Sequence, residues 1–270
     1  MTAMVEIRDL TKRYGDVTAL DRVSLAMKKG EFVSVIGRSG AGKYTLLRCI
    51  NRLVDATAGE IRLNDTDVRS LVGAGLRRLR ARVGMVFQHH NLVDRLTVLE
   101  NALHGRLGRK GTLAGAMGLY SREEKLLAVK TLEMLGLADQ TYKRCDELSG
   151  GQRQRVGIAR ALVQEPYMIL CDEPIASLDP GSAKVIMDHL RQICDTLGIT
   201  IIVNLHQVDV ALRYSDRVVG LNGGHVVYDG NPSALDTETI HHVFGTSAGE
   251  LLIDEIPPET REPAAEWKIS

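Results

Sequence analysis

A glycine-rich segment with a single lysine is the first feature of this sequence that could do chemistry. Residues 37–45 read GRSGAGKYT, which fits the pattern G-x-x-x-x-G-K. They stand between an apolar run at 32–36 and a helical pattern that begins TLLRCI. In such a loop the backbone N–H groups turn inward, the helix N-terminus adds positive potential, and the lysine reaches terminal phosphates. The predicted phosphate loop consists of Gly37, Arg38, Ser39, Gly40, Ala41, Gly42, Lys43, Tyr44 and Thr45.

Position 44 departs from this pattern. The residue after Lys43 should be Ser or Thr, whose short hydroxyl is a ligand of Mg²⁺, and this sequence has Tyr44 instead. Thr45 does not replace the lost hydroxyl, because one helical step turns a side chain by about 100° away from the ion. The sequence therefore predicts that nucleotide binding survives this replacement better than hydrolysis does.

Two adjacent carboxylates end an apolar strand pattern at residues 168–173, which read MILCDE. In a phosphate-loop protein, Asp172 at this place would hold Mg²⁺ and Glu173 would polarise the attacking water. Asp-Glu at a strand end is also a common solvated cap, so the pair alone favours neither interpretation. Together with the phosphate loop upstream, it favours a hydrolytic site.

A second anion-binding helix start is predicted at residues 148–152, which read LSGGQ. Ser149 is placed as the N-cap, followed by Gly150, Gly151 and Gln152, and apolar residues then recur at helical spacing. Standing alone, the segment would be a plain capped helix after a Gly-Gly turn. Two phosphate-facing helix starts about 106 residues apart do not obviously serve one nucleotide within a monomer, whereas two chains arranged head to tail could use both.

These segments need a scaffold, and the hydropathy pattern predicts one. The strand patterns cover residues 5–7, 23–27, 32–36, 60–63, 83–87, 168–171, 199–203 and 217–221. Helical patterns separate them, which indicates an α/β protein with a largely parallel sheet.

Strand patterns are absent between residues about 90 and 165, where helix-start signals recur instead. The capping boxes pair Thr97 with Glu100, Ser121 with Glu124, and Ser149 with Gln152. We infer an inserted helical subdomain over about 89–165. The last 25 residues, 246–270, hold three of the seven prolines and six acids against two bases, which favours a mobile tail.

Composition excludes several classes of protein. The 270 residues carry 34 basic and 34 acidic side chains, so no global charge holds nucleic acid or anionic lipid. The basic cluster at 77–82 is interpreted as a solvated helix face, and His89 and His90 as surface residues. No apolar run of about 18 residues and no signal peptide are found. The four cysteines lack metal-ligand spacing and are predicted to be reduced packing residues of a cytoplasmic protein.

The order of these motifs resembles an ABC transporter ATPase subunit over about residues 3–245. GRSGAGKYT, Gln88 after a strand, LSGGQ, CDEP, Ser177-Leu178-Asp179 and His206 follow one another as in that family. The resemblance implies a RecA-like core at 1–88 and 166–245, a small N-terminal antiparallel β portion and the helical insertion. It also implies ATP and Mg²⁺ as ligands and a homodimer that encloses two ATP molecules.

The resemblance also implies roles for residues that carry no signal alone. Tyr14 is similar to the aromatic that stacks on adenine, and Gln88 to the residue that links Mg²⁺ and water to the membrane subunit. Asp179 resembles the dimer-contact loop, and His206 the histidine that contacts the γ-phosphate. Without the resemblance, His206 would be taken as a structural histidine and Tyr14 as a strand-edge aromatic.

Finer strings resemble the ATPase subunit of phosphonate importers: NLVDRLTVLENAL, DEPIASLDP and LHQVDVALRYSDRVV. The resemblance implies membrane permease subunits, a periplasmic solute-binding protein, and a peripheral location on the cytoplasmic face of the inner membrane, with no nucleic acid partner. An amino acid or methionine importer and a non-hydrolysing nucleotide-binding subunit remain alternatives. Soluble ABC ATPases of DNA repair or translation are disfavoured by the single cassette and the short spacing between motifs.

Overall fold

The computed structural model describes residues 3–88 and 90–245 of the chain. His89 and the predicted tail at 246–270 lie outside the described residues. Two sheets and the helices around them form the described part. The strands are β1 (Val5–Tyr14), β2 (Val17–Met27), β3 (Phe32–Ile36), β4 (Ala58–Leu63), β5 (Thr66–Asp67), β6 (Val83–Val86), β7 (Met168–Asp172), β8 (Thr200–Asn204), β9 (Arg217–Asn222) and β10 (His225–Gly230). The helices are α1 (Lys43–Ile50), α2 (Ala74–Arg80), α3 (Val98–Leu103), α4 (Thr112–Ala116), α5 (Arg122–Met134), α6 (Gly150–Leu162), α7 (Pro180–Leu197), α8 (Val208–Tyr214) and α9 (Thr237–Phe244).

The larger sheet has six strands in the order β10-β9-β3-β8-β7-β6. Its strands run parallel except β10, which pairs antiparallel with β9 at one edge. Strands β3, β6, β7 and β8 are buried along their whole length, as expected of a parallel sheet covered on both faces. The predicted α/β class with a largely parallel sheet is confirmed.

The smaller sheet is antiparallel, in the order β2-β1-β4-β5. Its buried side chains alternate along β1 and β2, so one face packs on the core that also receives α1. Both long strands extend well beyond the short apolar patterns at 5–7 and 23–27. The polar halves of β1 and β2 pair through backbone hydrogen bonds that the hydropathy pattern does not reveal.

No strand longer than a single bridge lies among the described residues between β6 and β7, where helices α3 to α6 are found. All three predicted capping boxes are present, at Thr97, Ser121 and Ser149. Their side chains accept the N–H of the residue three positions on, which satisfies one of the free donors of each helix start. No helix of the described ranges is long and apolar enough to cross a membrane.

The four cysteines, Cys49, Cys145, Cys171 and Cys194, are buried and free, as predicted. Burial raises the pKa of Cys49 and of Cys145 to about 11 and that of Cys194 to about 12, so these thiols stay protonated near neutral pH. They pack as small apolar groups within the two hydrophobic clusters on either side of the larger sheet.

The basic cluster at 77–82 is exposed except for its leucine and the half-buried Ala81, as expected of a solvated face. It also holds neighbouring segments together. Arg77 donates to the carbonyl oxygen of Gly108 at 3.1 Å, and Arg80 donates to the carbonyl oxygen of Arg52 at 2.5 Å. Guanidinium groups satisfy several carbonyls at once, so α2 is tied to the segments on both sides of it.

Candidate nucleotide-binding site

The phosphate loop runs between the end of β3 and the start of α1. Gly42 precedes the helix with φ 105°, and a Cβ there would lie 2.5 Å from the carbonyl oxygen of Ala19, so the loop requires glycine at this position. No side chain caps the N-terminus of α1. Its first N–H groups therefore remain available to an anion, which the helix dipole also favours.

Lys43 is the first residue of α1 and is buried, with 5% of its surface exposed. Its ammonium group donates to the carbonyl oxygens of Gly37 at 2.5 Å and Arg38 at 3.2 Å. Burial lowers the pKa of Lys43, while the charges of Glu173 and Asp172 act in the opposite direction. A buried cation held by two carbonyls and facing two carboxylates is suited to the terminal phosphates of a nucleotide.

Tyr44 turns its ring onto the side chain one helical turn farther along α1. The ring centroid lies 3.8 Å from the Arg48 guanidinium carbon, and 46% of the tyrosine is exposed. This distance is within the range of a cation–π contact, which stabilises a pair at i and i+4 on a helix. Arg48 Nε is buried without a hydrogen-bond partner among the described residues. Thr45, the next residue of α1, is buried.

The two carboxylates lie where β7 ends. Asp172 is the last residue of β7, is buried, and accepts a hydrogen bond from Asn204 Nδ2 at its Oδ1 over 2.9 Å. Burial raises the pKa of Asp172, and the charge of Glu173 raises it further. The Asn204 bond and the cations Arg48 and Lys43 act in the opposite direction. The charges of the Asp172 carboxylate and of Lys43 in the phosphate loop therefore act on each other.

Glu173 follows with a positive φ of 48°, a conformation that is uncommon for a residue with a side chain. Its Oε1 lies 2.6 Å from Nε2 of His206, which stands two residues beyond β8. Strained backbone in the left-handed region occurs often at functional sites, where the surroundings hold it. The pair places a carboxylate and an imidazole, two groups that can take part in proton transfer, within hydrogen-bonding distance of each other.

Two further predicted site residues stand at or just beyond the ends of strands. Gln88 follows β6 by two residues and is half-buried. Tyr14 is the last residue of β1 and is 48% exposed, with the Lys12 ammonium 4.7 Å from its ring centroid. An exposed ring beside a cation offers a stacking surface for a planar base.

The second helix start belongs to α6. Ser149 Oγ accepts the N–H of Gln152 at 3.3 Å, and Gln152 Oε1 accepts the N–H of Ser149 at 2.9 Å. A Cβ at Gly151 would lie 2.9 Å from Ser182 Oγ, so the glycine permits close packing of α6 on α7. Asp179 caps α7 by accepting the N–H of Ser182.

The structure thus brings Lys43, Asp172, Glu173 and His206 together, whereas no hydrogen bond resolved in the described ranges links residues 149–152 to the phosphate loop. Sequence reasoning missed Arg48 and Asn204. Arg48 follows Tyr44 by four residues, a spacing that could have indicated the stack. Asn204 ends a buried strand, where a polar residue is itself a signal.

The donor set fits Mg²⁺ only in part. Asp172 supplies a carboxylate and Gln88 an amide oxygen, both hard ligands that Mg²⁺ prefers, and Asn204 Oδ1 is a further buried oxygen without a partner in the described ranges. Tyr44 supplies no short hydroxyl. Because Mg²⁺ commonly keeps several waters as ligands, the remaining oxygens fit the ion with one protein ligand fewer.

The chain was compared with known proteins. A family model described as ABC transporter matches residues 20–176. A protein of Oceanobacillus iheyensis named Phosphonates import ATP-binding protein PhnC 2 is 52% identical over 250 residues, covering 92% of this chain and 98% of that protein. The Phosphonates import ATP-binding protein PhnC of Lactiplantibacillus plantarum is 50% identical over 242 residues, covering 89% of this chain and 94% of that protein.

Among solved structures, a dimeric post-hydrolysis state of the ATP-binding cassette MJ0796, bound to ADP and Pi, is 36% identical with a TM-score of 0.74. The match covers 85% of this chain and 99% of that one. These relatives do not favour an amino acid or methionine importer. The matching family model, the identity to the two relatives and the shared fold agree, and the chain belongs to the ABC transporter family as one of its ATP-binding proteins.

Proposed function

We propose that this chain is the ATP-hydrolysing subunit of a phosphonate importer. The observation that carries the hydrolytic part is the grouping of Lys43, Asp172, Glu173 and His206 at the ends of β3, β7 and β8. The phosphonate part rests on relatives at about half identity that are named for phosphonate import. An expected division into a core at 1–88 and 166–245, with helices at about 89–165, belongs to the same proposal.

The side chains of the site divide the work. Backbone N–H groups of residues 37–45 and the Lys43 ammonium bind the β- and γ-phosphates. Glu173 accepts a proton from the attacking water, and His206, held against Glu173 Oε1, contacts the γ-phosphate. Tyr14 stacks on the adenine.

Asp172 and Gln88 would hold Mg²⁺, which would neutralise charge on the phosphate oxygens when bound. Asp172 is suited to this because its carboxylate is buried among cations and fixed by Asn204. Gln88 stands just after β6, where a movement of the following segment would reach the site. This link is the proposed route by which nucleotide state is passed to a membrane subunit.

The second half of each nucleotide site comes from a second copy of the chain. The α6 start consists of Ser149, Gly150, Gly151 and Gln152. It is exposed at Ser149 and Gly150, whereas Gly151 is buried against Ser182. In a head-to-tail homodimer this start faces the γ-phosphate held by the partner's phosphate loop. Asp179, which caps α7 beside it, lies at the same contact.

The proposed assembly further includes integral membrane permease subunits, with a periplasmic solute-binding protein reached through them, and a peripheral place on the cytoplasmic face of the inner membrane. A cavity of about 360 Å³ between α2 and the segment after α3 is a candidate permease contact, lined by Arg77, Arg80, His104 and Gln164 among others.

Growth tests the phosphonate assignment. A strain that lacks this chain is expected to lose growth on a phosphonate as sole phosphorus source and to keep growth on inorganic phosphate. Expression of the chain in trans should restore growth. Normal growth on phosphonate, with loss of growth on an amino acid instead, would overturn the substrate assignment while leaving ATP hydrolysis in place.

A second candidate function, a nucleotide-binding subunit with impaired hydrolysis, is favoured by one observation. The Tyr44 ring lies on Arg48, so position 44 offers an aromatic surface in place of a short hydroxyl. Binding and release of ATP could then gate the importer without turnover. Phosphate release from ATP by the purified chain, measured with Mg²⁺ and with EDTA, separates the two functions.

A further inference from the structure

Asn204 is a buried polar residue at the end of a strand whose three central residues are apolar. It is the last residue of β8, and the register of the parallel sheet sets it opposite Asp172, the last residue of β7. Only 1% of its surface is exposed. An amide buried at this depth costs free energy unless its polar atoms are paired, so its presence needs a physical reason.

One half of the amide is paired. Asn204 Nδ2 donates to Asp172 Oδ1 over 2.9 Å. The orientation of the amide follows from this contact, because its oxygen would be repelled by the carboxylate. A hydrogen bond to a charged group is stronger than one between neutral groups, and it holds the carboxylate in one rotation about its χ2 bond.

The other half is not paired. Asn204 Oδ1 is buried without a hydrogen-bond partner in the described ranges. Leaving such an acceptor unpaired costs free energy, unless a water or a ligand supplies a donor. The unpaired oxygen belongs to the same amide that fixes Asp172, and the charges of Lys43 and Arg48 also act on that carboxylate.

We propose that Asn204 is a positioning residue for the divalent cation site of this ATPase, an inference that rests on the proposed function. Its Nδ2 fixes the Asp172 carboxylate, and its Oδ1 accepts a hydrogen bond from a water molecule at that site. Tyr44 makes this role more important, because a cation site without the short hydroxyl ligand depends more on the orientation of Asp172.

The affinity for a fluorescent ATP analogue, measured with Mg²⁺ and with EDTA, tests this assignment without relying on turnover. The measurement is made on the full chain and on the Tyr44→Ser variant, which has the hydroxyl ligand. In the Tyr44→Ser background, Asn204→Leu is expected to reduce the enhancement of affinity by Mg²⁺ about tenfold, as loss of a supporting residue does at metal sites. The affinity in EDTA should change by less than about twofold, because the phosphate loop is untouched.

Asn51→Ala is the matched control. Asn51 is also buried with an unpaired Oδ1 in the described ranges, but it lies beyond the far end of α1 from Lys43. It should lower thermal stability and leave the Mg²⁺ enhancement as it was. If Asn204→Leu does not fold, Asn204→Ala removes the same two polar atoms without added bulk.

Three other outcomes would count against the inference. An unchanged Mg²⁺ enhancement in both Asn204 variants overturns the positioning role while the proposed ATPase stands. Equal loss of affinity with Mg²⁺ and with EDTA shows a merely structural role for Asn204. Absence of any Mg²⁺ enhancement in Tyr44→Ser itself overturns the proposed cation site, and with it the role of Asn204.

Discussion

The two helix starts that sequence reasoning assigned to phosphate differ in how their free N–H groups are satisfied. The start of α1 has no side-chain cap, and its first residue, Lys43, is buried. The start of α6 is closed by the reciprocal bonds of Ser149 and Gln152, and its N-cap Ser149 and first residue Gly150 are exposed. The first N–H groups of α1 have no side-chain acceptor, whereas α6 has a capping box that supplies one.

A helix start can therefore be prepared for an anion in two ways. An uncapped start behind a glycine-rich loop can bind an anion directly, because no side chain competes for its donors. A capped and exposed start is stable alone and must exchange its cap for a phosphate oxygen, so it suits a ligand that arrives with a second chain. Variants at each start should separate these two roles.

Glu173→Gln, made in the Tyr44→Ser background, should hold the start of α1 of one subunit and the start of α6 of its partner on the same bound ATP. The amide cannot accept a proton from water, so turnover should fall about a thousandfold while ATP stays bound. Size-exclusion chromatography with ATP and Mg²⁺ should show a stable dimer. Glu238→Gln, at an exposed position of α9, is the control and should behave as its parent does. Hydrolysis at the parental rate would assign water activation elsewhere.

Tyr44→Ser tests the start of α1 alone. We expect it to raise Mg²⁺-dependent phosphate release about a hundredfold, because catalysis of phosphoryl transfer depends on positions that small displacements disturb. Tyr44→Phe should resemble the native chain, since the ring on Arg48 remains and the phenol oxygen is not a ligand. Equal turnover of the native chain and Tyr44→Ser would show that position 44 does not limit the reaction.

Lys43→Ala removes the ammonium group at the uncapped start of α1. Loss of a hydrogen bond from a charged donor is worth about 1.5–3 kcal/mol, which corresponds to an ATP affinity that is weaker by about ten- to a hundredfold. Equilibrium binding of a fluorescent ATP analogue in EDTA gives the value. Lys28→Ala, at an exposed position before β3, should leave the affinity unchanged. A Lys43→Ala affinity equal to the native one would mean that the backbone N–H groups suffice.

Ser149→Ala removes the cap of the second start and should have the smallest effect on the isolated chain. Loss of an N-cap costs about 1 kcal/mol of unfolding free energy, and denaturant titration measures it. Thr97→Ala removes the equivalent cap of α3 and should cost a similar amount. Only the Ser149 variant should also change ATP-driven dimerisation, because only the start of α6 must exchange its cap for a phosphate oxygen. The same dimerisation in both variants would argue that the cap of α6 has no part in nucleotide binding.

The fold was predictable where burial leaves a mark on the sequence. The run at 32–36 gave β3 with both ends correct, because a strand buried on both faces is apolar throughout. Strand β10 was missed: its side chains are mostly half-buried at a sheet edge, although the Gly223-Gly224 turn before it is a typical hairpin signal. The two-residue strand β5 is too short to show any period.

The types of the site residues were predictable from the sequence, but several contacts between them were not. The placement of Lys43 beside two carboxylates follows from motifs that precede or follow buried strands. The contact between Asp172 and Asn204 does not, because 32 residues separate them and only the sheet register makes them neighbours. The direction of the Tyr44 ring depends on Arg48, and the sequence argument considered the ion alone. The roles of these residues remain predictions that the variants above address.

The burial of all four cysteines makes the chain a convenient starting point for site-specific labelling. The thiolate of an accessible cysteine attacks a labelling reagent, whereas these four thiols are enclosed and hold their protons. A cysteine introduced at an exposed position, such as Thr18 on β2, would react first. A single fluorophore or spin label could therefore follow the approach of two subunits in the native sequence background, without removal of any natural cysteine.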